Sequence, residues 1–356
     1  MARYDFTRMS VLLVEDSQFM RGLMTGILRA LGVERIIIAN DGEEAIAIMS
    51  PAGKSKGSMV GHSGVDVVIS DFFMPTVDGS MLLRWIRMAP KSPDRFLPFI
   101  MMSAAADRDV IIKCRDAGVD EFLAKPFSAE GISQRLISVI EHPRPIIYCP
   151  TYFGPDRRRR VIPAQIERRV IKKEDIETVH SGKEMGALQK SKKKVWIFKM
   201  PKALKSKLST GHTGKDEPAF DPALIEAAEA KVGDMEGDYA DWVAESIESL
   251  VQAHHRSIED LDNADGHLAE INRVAHELRG QGGIFGYPLM TQFGKSLYDC
   301  SGEGTEITAP LLDLINAHID LIKVVMGQKI KGDGGAVGKE LLKSLHQANK
   351  KHAGHN

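Results

Sequence analysis

Val11-Leu12-Leu13-Val14-Glu15-Asp16 is an apolar run of strand length that ends on two carboxylates. Four later runs repeat its form: Ile36 to Ala39, Val65 to Ile69, Phe99 to Ser103 and Glu121 to Ala124. Runs this short and this continuously apolar read as strands buried on both faces. Between them, helical spacing appears near 17–31, 42–50, 79–89, 107–117 and 128–141. Five strands alternating with five helices predict right-handed βαβ units and an α/β, doubly wound, five-stranded parallel sheet. Ligands of such sheets gather beyond the carboxyl ends of the strands. The polar, glycine-rich stretch from Pro51 to Gly64 reads as a surface insertion.

This head is about two-fifths of a chain of 356 residues, a length that allows two or three domains. The net charge of −1 conceals three segments: −2 over residues 1–143, +13 over 144–215 and −12 over 216–356. The basic middle opens on Pro143, Pro145 and Pro150 and has no sustained apolar period. It predicts a mostly disordered linker over 142–218, with short helical stretches near 163–178 and a span of roughly 45 Å. From Phe220 onward the pattern is helical, with helices near 221–231, 235–262, 265–283, 287–301 and 307–327. Their apolar positions recur at spacings of 3, 4 and 7, which predicts an all-α helical bundle over 219–328. Residues 329–356, rich in Gly, Lys and His, read as a flexible tail.

Composition excludes several classes. Cys114, Cys149 and Cys300 are too few and too scattered for a disulfide framework or a zinc motif. No run of 18 apolar residues is present and the first ten residues do not form a signal peptide, so the expected compartment is the cytoplasm.

In the predicted sheet Glu15 and Asp16 close the first strand, Asp71 follows the third, Ser103 ends the fourth and Lys125 follows the fifth. Three carboxylates in one crevice repel one another unless a cation joins them, and hard oxygen donors suit Mg²⁺. A lysine and a hydroxyl beside that ion hold phosphate oxygens, and Asp71 is then placed to accept a phosphoryl group. The segments VLLVEDSQFMRGLM, ISDFFMPTVDG, MMSAAAD and EFLAKPF resemble the receiver domain of two-component response regulators over residues 8–141. The resemblance implies a flavodoxin-like sheet with Asp71 as phosphoacceptor. It also implies Mg²⁺ on Glu15, Asp16, Asp71 and the Phe73 carbonyl, phosphoryl contacts from Ser103 and Lys125, and a cis Lys125–Pro126 bond. Phe122 takes the place of the family's aromatic switch. Phe73 and Ala105 stand where the family controls the attacking water. Both are apolar, so slow autodephosphorylation is expected.

Most of the histidines fit bland roles. His254, His255 and His318 lie on predicted helices beside acidic residues and read as solvated surface groups. His276 differs. It sits in AHELRGQGGIFGYPL, where Gly280, Gly282 and Gly283 each cost about 1 kcal/mol against Ala inside a helix. Arg279 at i+3 and Gly280 at i+4 share its face, one offering charge and the other leaving access for a partner. The pattern His276, Leu278, Arg279, Gly280 and Gly286 resembles the histidine phosphotransfer (HPt) domain, which implies a phosphoryl-carrying His276. That family usually has Lys where this chain has Arg279, and the planar guanidinium is not equivalent.

Neither glycine-rich stretch has the spacing of a nucleotide-binding loop, and no kinase or helix-turn-helix motif is apparent. The expectation is therefore a phosphotransfer intermediate rather than a conventional enzyme. Its partners would be a histidine kinase and other receiver or HPt proteins. The alternative is a phosphorylation-switched binding protein whose helical part is a docking or phosphate-sink module. The basic middle interleaves cations with aromatics at Tyr152 to Arg160 and Lys192 to Lys199. That pattern fits an acidic partner, an anionic lipid surface, nucleic acid, the chain's own acidic tail or a solvated linker.

Overall fold

The computed structural model describes residues 3–50, 64–104, 108–157, 176–179, 195–199, 202–211, 219–259 and 264–353. The chain divides into two compact units: Met1–Ala124 with Ser128–Glu229, and Ala230–Asn356 with Lys125–Phe127.

Five strands form the first sheet: β1 (Ser10–Val14), β2 (Arg35–Ala39), β3 (Val67–Asp71), β4 (Phe99–Ala104) and β5 (Glu121–Lys125). Their order is β2-β1-β3-β4-β5, parallel where register is defined, with Val11 opposite both Ile36 and Val67. Helices α1 (Gln18–Ala30), α2 (Gly42–Met49), α3 (Gly79–Met88), α4 (Arg108–Ala117) and α5 (Ala129–Glu141) alternate with the strands. Leu12, Val14, Val68, Phe99 and Met101 form one core with Ala45 and Met49 of α2, Leu82, Leu83 and Ile86 of α3, and Cys114 of α4. Val11, Leu13, Val67 and Ile69 alternate with these residues, point to the opposite face and are equally buried. Ser17, Asp41, Asp78 and Ser128 cap α1, α2, α3 and α5 through side-chain oxygens. The expected sheet is therefore present. The insertion expected at Pro51 to Gly64 lies, but for Gly64, outside the described residues.

The basic middle departs from expectation. Where a mostly disordered linker was predicted, β6 (Ile146–Cys149), β7 (Tyr152–Pro155), β8 (Ile176–Val179) and β9 (Val195–Phe198) build a second sheet of order β7-β6-β9-β8. β8 also replaces the end of the helical stretch expected near 163–178; the rest of that stretch lies outside the described residues. The cause is aromatic and local. Ile146, Phe153, Trp196 and Phe198 form a small core closed by Tyr148 and by Phe96 of the first sheet's β4 approach. Burying a side chain of this size contributes about 1.5–3 kcal/mol, enough to outweigh the charged composition around it.

This second sheet and the short helix α6 (Ala203–Leu208) sit against the amino-terminal end of the parallel sheet. Gly118, just ahead of β5, leaves no space for a side chain beside Gly154 of β7. Arg87 of α3 is fully buried and donates to the Gly118, Arg95 and Leu97 carbonyls and to Asp120 Oδ2, the last at 2.7 Å. Arg144 continues this network to the Val119, Asp120 and Asp156 carbonyls. Lys205 and Arg3 pair with Glu141 at 2.6 and 2.8 Å, Tyr4 donates to the same carboxylate, and Lys207 pairs with Asp66 at 2.6 Å. Phe220 stacks on Phe6 with centroids 3.8 Å apart. Residues expected to begin the helical bundle thus belong to the first unit, and α7 (Pro222–Asp234) starts there.

In the second unit α8 (Glu236–Glu259), α9 (Ala264–Gln281), α10 (Pro288–Cys300) and α11 (Ala309–Gly327) pack in sequence, and α11 returns to α8. Tyr239, Val243, Leu250, Ile271, Leu278, Leu289, Phe293, Ile315 and Ile322 are buried within it. Gly294 of α10 lies against the backbone of Ala275 and Arg279, so close that α9 and α10 pack here only without a side chain. The supposed flexible tail is instead α12 (Gly335–Ala353), which packs on α11 and buries Leu345. A further departure concerns histidines. His254 and His318 are buried, because each ring finds a hydrogen-bond partner inside: His254 at the Leu312 carbonyl, His318 at the Leu314 carbonyl and Ser296 Oγ. Among the described residues no helix is long and apolar enough to cross a membrane.

Candidate functional site

The carboxyl ends of β1 and β3 bring three acidic side chains together. Glu15, Asp16 and Asp71 each offer a ligand atom, and these atoms all lie within 4.8 Å of one another. Glu15 and Asp71 are buried and Asp16 is half-buried. β1 ends at Val14, so its ladder stops just before the acidic pair, and Ser17 turns the chain into α1 at once. Arg21 of α1 donates from Nη1 to the Glu15 carbonyl at 2.8 Å and to the Asp16 carbonyl at 2.6 Å. Sequence reading passed over this arginine; its position one turn into a helix that follows two acids was the available signal.

Asp71 closes β3. Its Oδ1 accepts from the Phe72 amide at 2.8 Å, and its carbonyl accepts from Ser70 Oγ. Gly79 then starts α3 against the Asp71 carbonyl, with its amide donating to the Phe72 carbonyl at 3.0 Å. The turn between them holds Thr76 at φ 63°, a left-handed conformation that a β-branched residue adopts only under constraint. Phe73 is half-buried with its ring edge-on to Phe72. Ala105 lies outside the described residues.

Ser103, near the end of β4, is buried, and its Oγ has no partner among the described protein groups. A buried hydroxyl left in this state is costly unless a ligand oxygen meets it. Lys125 is buried at the end of β5, and the Lys125–Pro126 bond is cis. Three clustered oxygen donors of like charge, with an unanswered hydroxyl on the same sheet, fit a hard divalent cation and its anionic ligand. Phe122 is half-buried and packs against the α2–α4 core.

In the helical unit His276 lies on α9, half-buried rather than exposed, with its ring 5.6 Å from that of Tyr298 on α10. Arg279 is buried and places its guanidinium over the same Tyr298 ring, also at 5.6 Å. Gly280 is buried. Gly282 answers to packing, since a β-carbon there would lie 2.7 Å from Met290 Cβ, and Gly286 adopts a positive φ of 80°.

A parallel β2-β1-β3-β4-β5 sheet with an acidic cluster at its carboxyl edge defines a signal-receiver module. The chain belongs to the response regulator receiver family, whose domain matches residues 11–137. It is 32% identical over 134 residues to the chemotaxis protein CheY of Pseudomonas aeruginosa, a match covering 37% of this chain and 97% of that one. It is also 32% identical over 133 residues to CheY-3 of Vibrio cholerae, covering 37% and 92%. Among solved structures, one similar chain is the receiver domain of a Pseudomonas aeruginosa sensor histidine kinase with magnesium coordinated in its active-site cleft. There the identity is 27%, the coverage 36% of this chain and 94% of that one, and the TM-score 0.29. These matches address the first unit's parallel sheet.

Proposed function

We propose that this chain is a phosphorelay protein in which Asp71 accepts a phosphoryl group and His276 receives or returns one. The observation that carries the reading is the meeting of Glu15, Asp16 and Asp71 at one sheet edge. Receiver domains of this kind interact with histidine kinases and phosphotransfer partners, and here the donor is a separate phosphohistidine. An Asp71 carboxylate oxygen attacks phosphorus; the P–O bond forms as the P–N bond breaks, and the departing imidazole takes a proton from solvent. Ser103 and Lys125 bind the phosphoryl oxygens, one by hydrogen bond and the other by charge. Glu15, Asp16, Asp71 and the Phe73 carbonyl would hold a magnesium ion, which would supply charge neutralisation for the phosphoryl transfer.

The helical unit acts as the histidine phosphotransfer module. Support comes from the run His276, Leu278, Arg279, Gly280 on one helix of a bundle. In the return step a ring nitrogen of neutral His276 attacks the acyl phosphate of a receiver, and the aspartate carboxylate leaves. Arg279 supplies positive charge near the transferred group.

Radiolabel transfer tests the reading. The full chain is charged by candidate histidine kinases and then offered to candidate receivers, with Asp71→Ala and His276→Gln as the two variants. Label on Asp71 that later appears on His276, or label that His276 exchanges with another receiver, is the expected result. Label that enters Asp71 but never reaches His276 from any receiver overturns the relay and leaves a phosphorylation-switched binding protein.

A further inference from the structure

Arg21 occupies a place where a cation is disfavoured. It lies in the first turn of α1, close to the positive end of the helix dipole, and its side chain is half-buried. What holds it there is a pair of carbonyls. Glu15 and Asp16 lie past the last ladder position of β1, where Val14 pairs with Ala39 and Ser70. One guanidinium nitrogen serves both of their carbonyl oxygens, at 2.8 and 2.6 Å. The Glu15 amide is already committed to the Ala39 carbonyl, and the Glu15 carboxylate accepts from the Ser17 amide. Arg21 thus fixes the peptide planes from which both carboxylates project.

From this geometry we infer that Arg21 is a positioning residue for divalent-cation binding. It sets the separation and direction of the Glu15 and Asp16 carboxylates by clamping their backbone, without touching the ion. The inference rests on reading Glu15, Asp16 and Asp71 as the magnesium site. Two effects of Arg21 oppose each other and predict opposite signs. Its charge repels a cation, so removing it would tighten binding. Its clamp preorganises the acidic pair, so removing it would weaken binding. The hydrogen bonds go to carbonyls rather than to carboxylates, so Arg21 does not compete with a cation for the ligand oxygens, and preorganisation is the larger effect. Groups that orient metal ligands from outside contribute about 10- to 100-fold in affinity.

The test is calorimetric titration of the full chain with Mg²⁺ alone, in wild type, Arg21→Met and Asp16→Asn, beside the thermal midpoint of each without metal. Arg21→Met fills the same space without a donor. The expected result is about tenfold or greater weakening in Arg21→Met at a metal-free midpoint close to wild type. Labelling of Asp71 by acetyl phosphate should recover in Arg21→Met as Mg²⁺ is raised to saturation. Unchanged or tighter Mg²⁺ binding, or labelling that does not recover at saturation, overturns the role of Arg21. Should Arg21→Met fail to fold, Arg21→Gln, which keeps a donor but shortens the reach, is read by the same criteria. Asp16→Asn separates the two levels: if it binds Mg²⁺ as wild type does, the acidic cluster is not the metal site.

Discussion

Gly79 sits against the carbonyl of Asp71 with no room for a β-carbon between them. The start of α3 is thereby held against the end of β3, and Asp71, the proposed phosphoacceptor, shares its backbone with that contact. Met101 Sδ would lie 2.8 Å from the same added carbon. Gly79→Ala is expected to destabilise the first unit by about 1–3 kcal/mol, the cost of overpacking a filled site. It should also depress labelling of Asp71 by acetyl phosphate. Urea unfolding and labelling on one sample check both, and a variant as stable as wild type would show that the turn relaxes freely.

Thr76 carries strain that a different residue would release. Its φ of 63° is unfavourable for a β-branched side chain, whereas Asn tolerates the left-handed region. Thr76→Asn should stabilise the first unit by about 1 kcal/mol, read from the urea midpoint at unchanged slope.

Phe73 offers nothing that orients water beside Asp71. Phe73→Asn should shorten the lifetime of phospho-Asp71 several-fold, followed as phosphate release after removal of the donor. An unchanged rate would count against the expectation that apolar Phe73 slows the loss of the phosphoryl group.

Glu141 gives the first unit an acid limb. Burial acts to raise its pKa, but hydrogen bonds from Lys205, Tyr4 and Arg3 prevail and bring it from the usual 4.5 to about 2. A depressed carboxylate contributes stability that is complete above its unfolded value and fades as pH falls through its folded one. The window is therefore about pH 4.5 down to about 2. Because the paired cations are part-exposed, the contribution at neutral pH is about 1–2 kcal/mol. Glu141→Gln should remove that amount and flatten the acid limb of unfolding free energy against pH.

His318 gives the second unit a limb at higher pH. Burial lowers its pKa, opposed by the hydrogen bond to the Leu314 carbonyl. Nδ1–H donates to that carbonyl at 2.8 Å, so Nε2 accepts from Ser296 Oγ, which in turn accepts from Asn349 Nδ2 of α12 at 3.0 Å. Protonation would force Nε2 to donate and break this order. The unfolded chain takes up its proton near 6.5, so stability should fall as pH drops below that value. Hydrogen exchange along α12 at pH 7.5 and 5.5 should show loosening at the lower pH, and Asn349→Ala should cost about 1 kcal/mol.

The receiver sheet was legible because its signal is local. Each strand is one short apolar run, and the runs that begin at Val11 and Phe99 fall within one or two residues at each end of the observed Ser10–Val14 and Phe99–Ala104. The acidic cluster followed from strand ends alone. The second sheet was not legible, because β6 pairs with β9 across some fifty intervening residues dominated by charge. Tyr148 and Trp196 stack at 5.2 Å, yet nothing near either announces the other. His318 was misread for a related reason: its partners Ser296 and Asn349 come from other helices, so its surroundings are a property of packing. Arg157 shows the same. It reads as one cation of a basic run, but it pairs with Asp116 and lies over Tyr152 at 4.6 Å, while Arg158 to Arg160 fall outside the described residues.

The stacked pair Phe6 and Phe220 bears on where this receiver can be cut. Homology would end it near residue 137, and periodicity would end it at Glu141. A fragment stopped at either point loses Phe153 and Phe198 from Phe96, Lys205 from Glu141, and Phe220 from Phe6. The stretch shared with the family is thus shorter than the compact unit of this chain, which extends to Glu229.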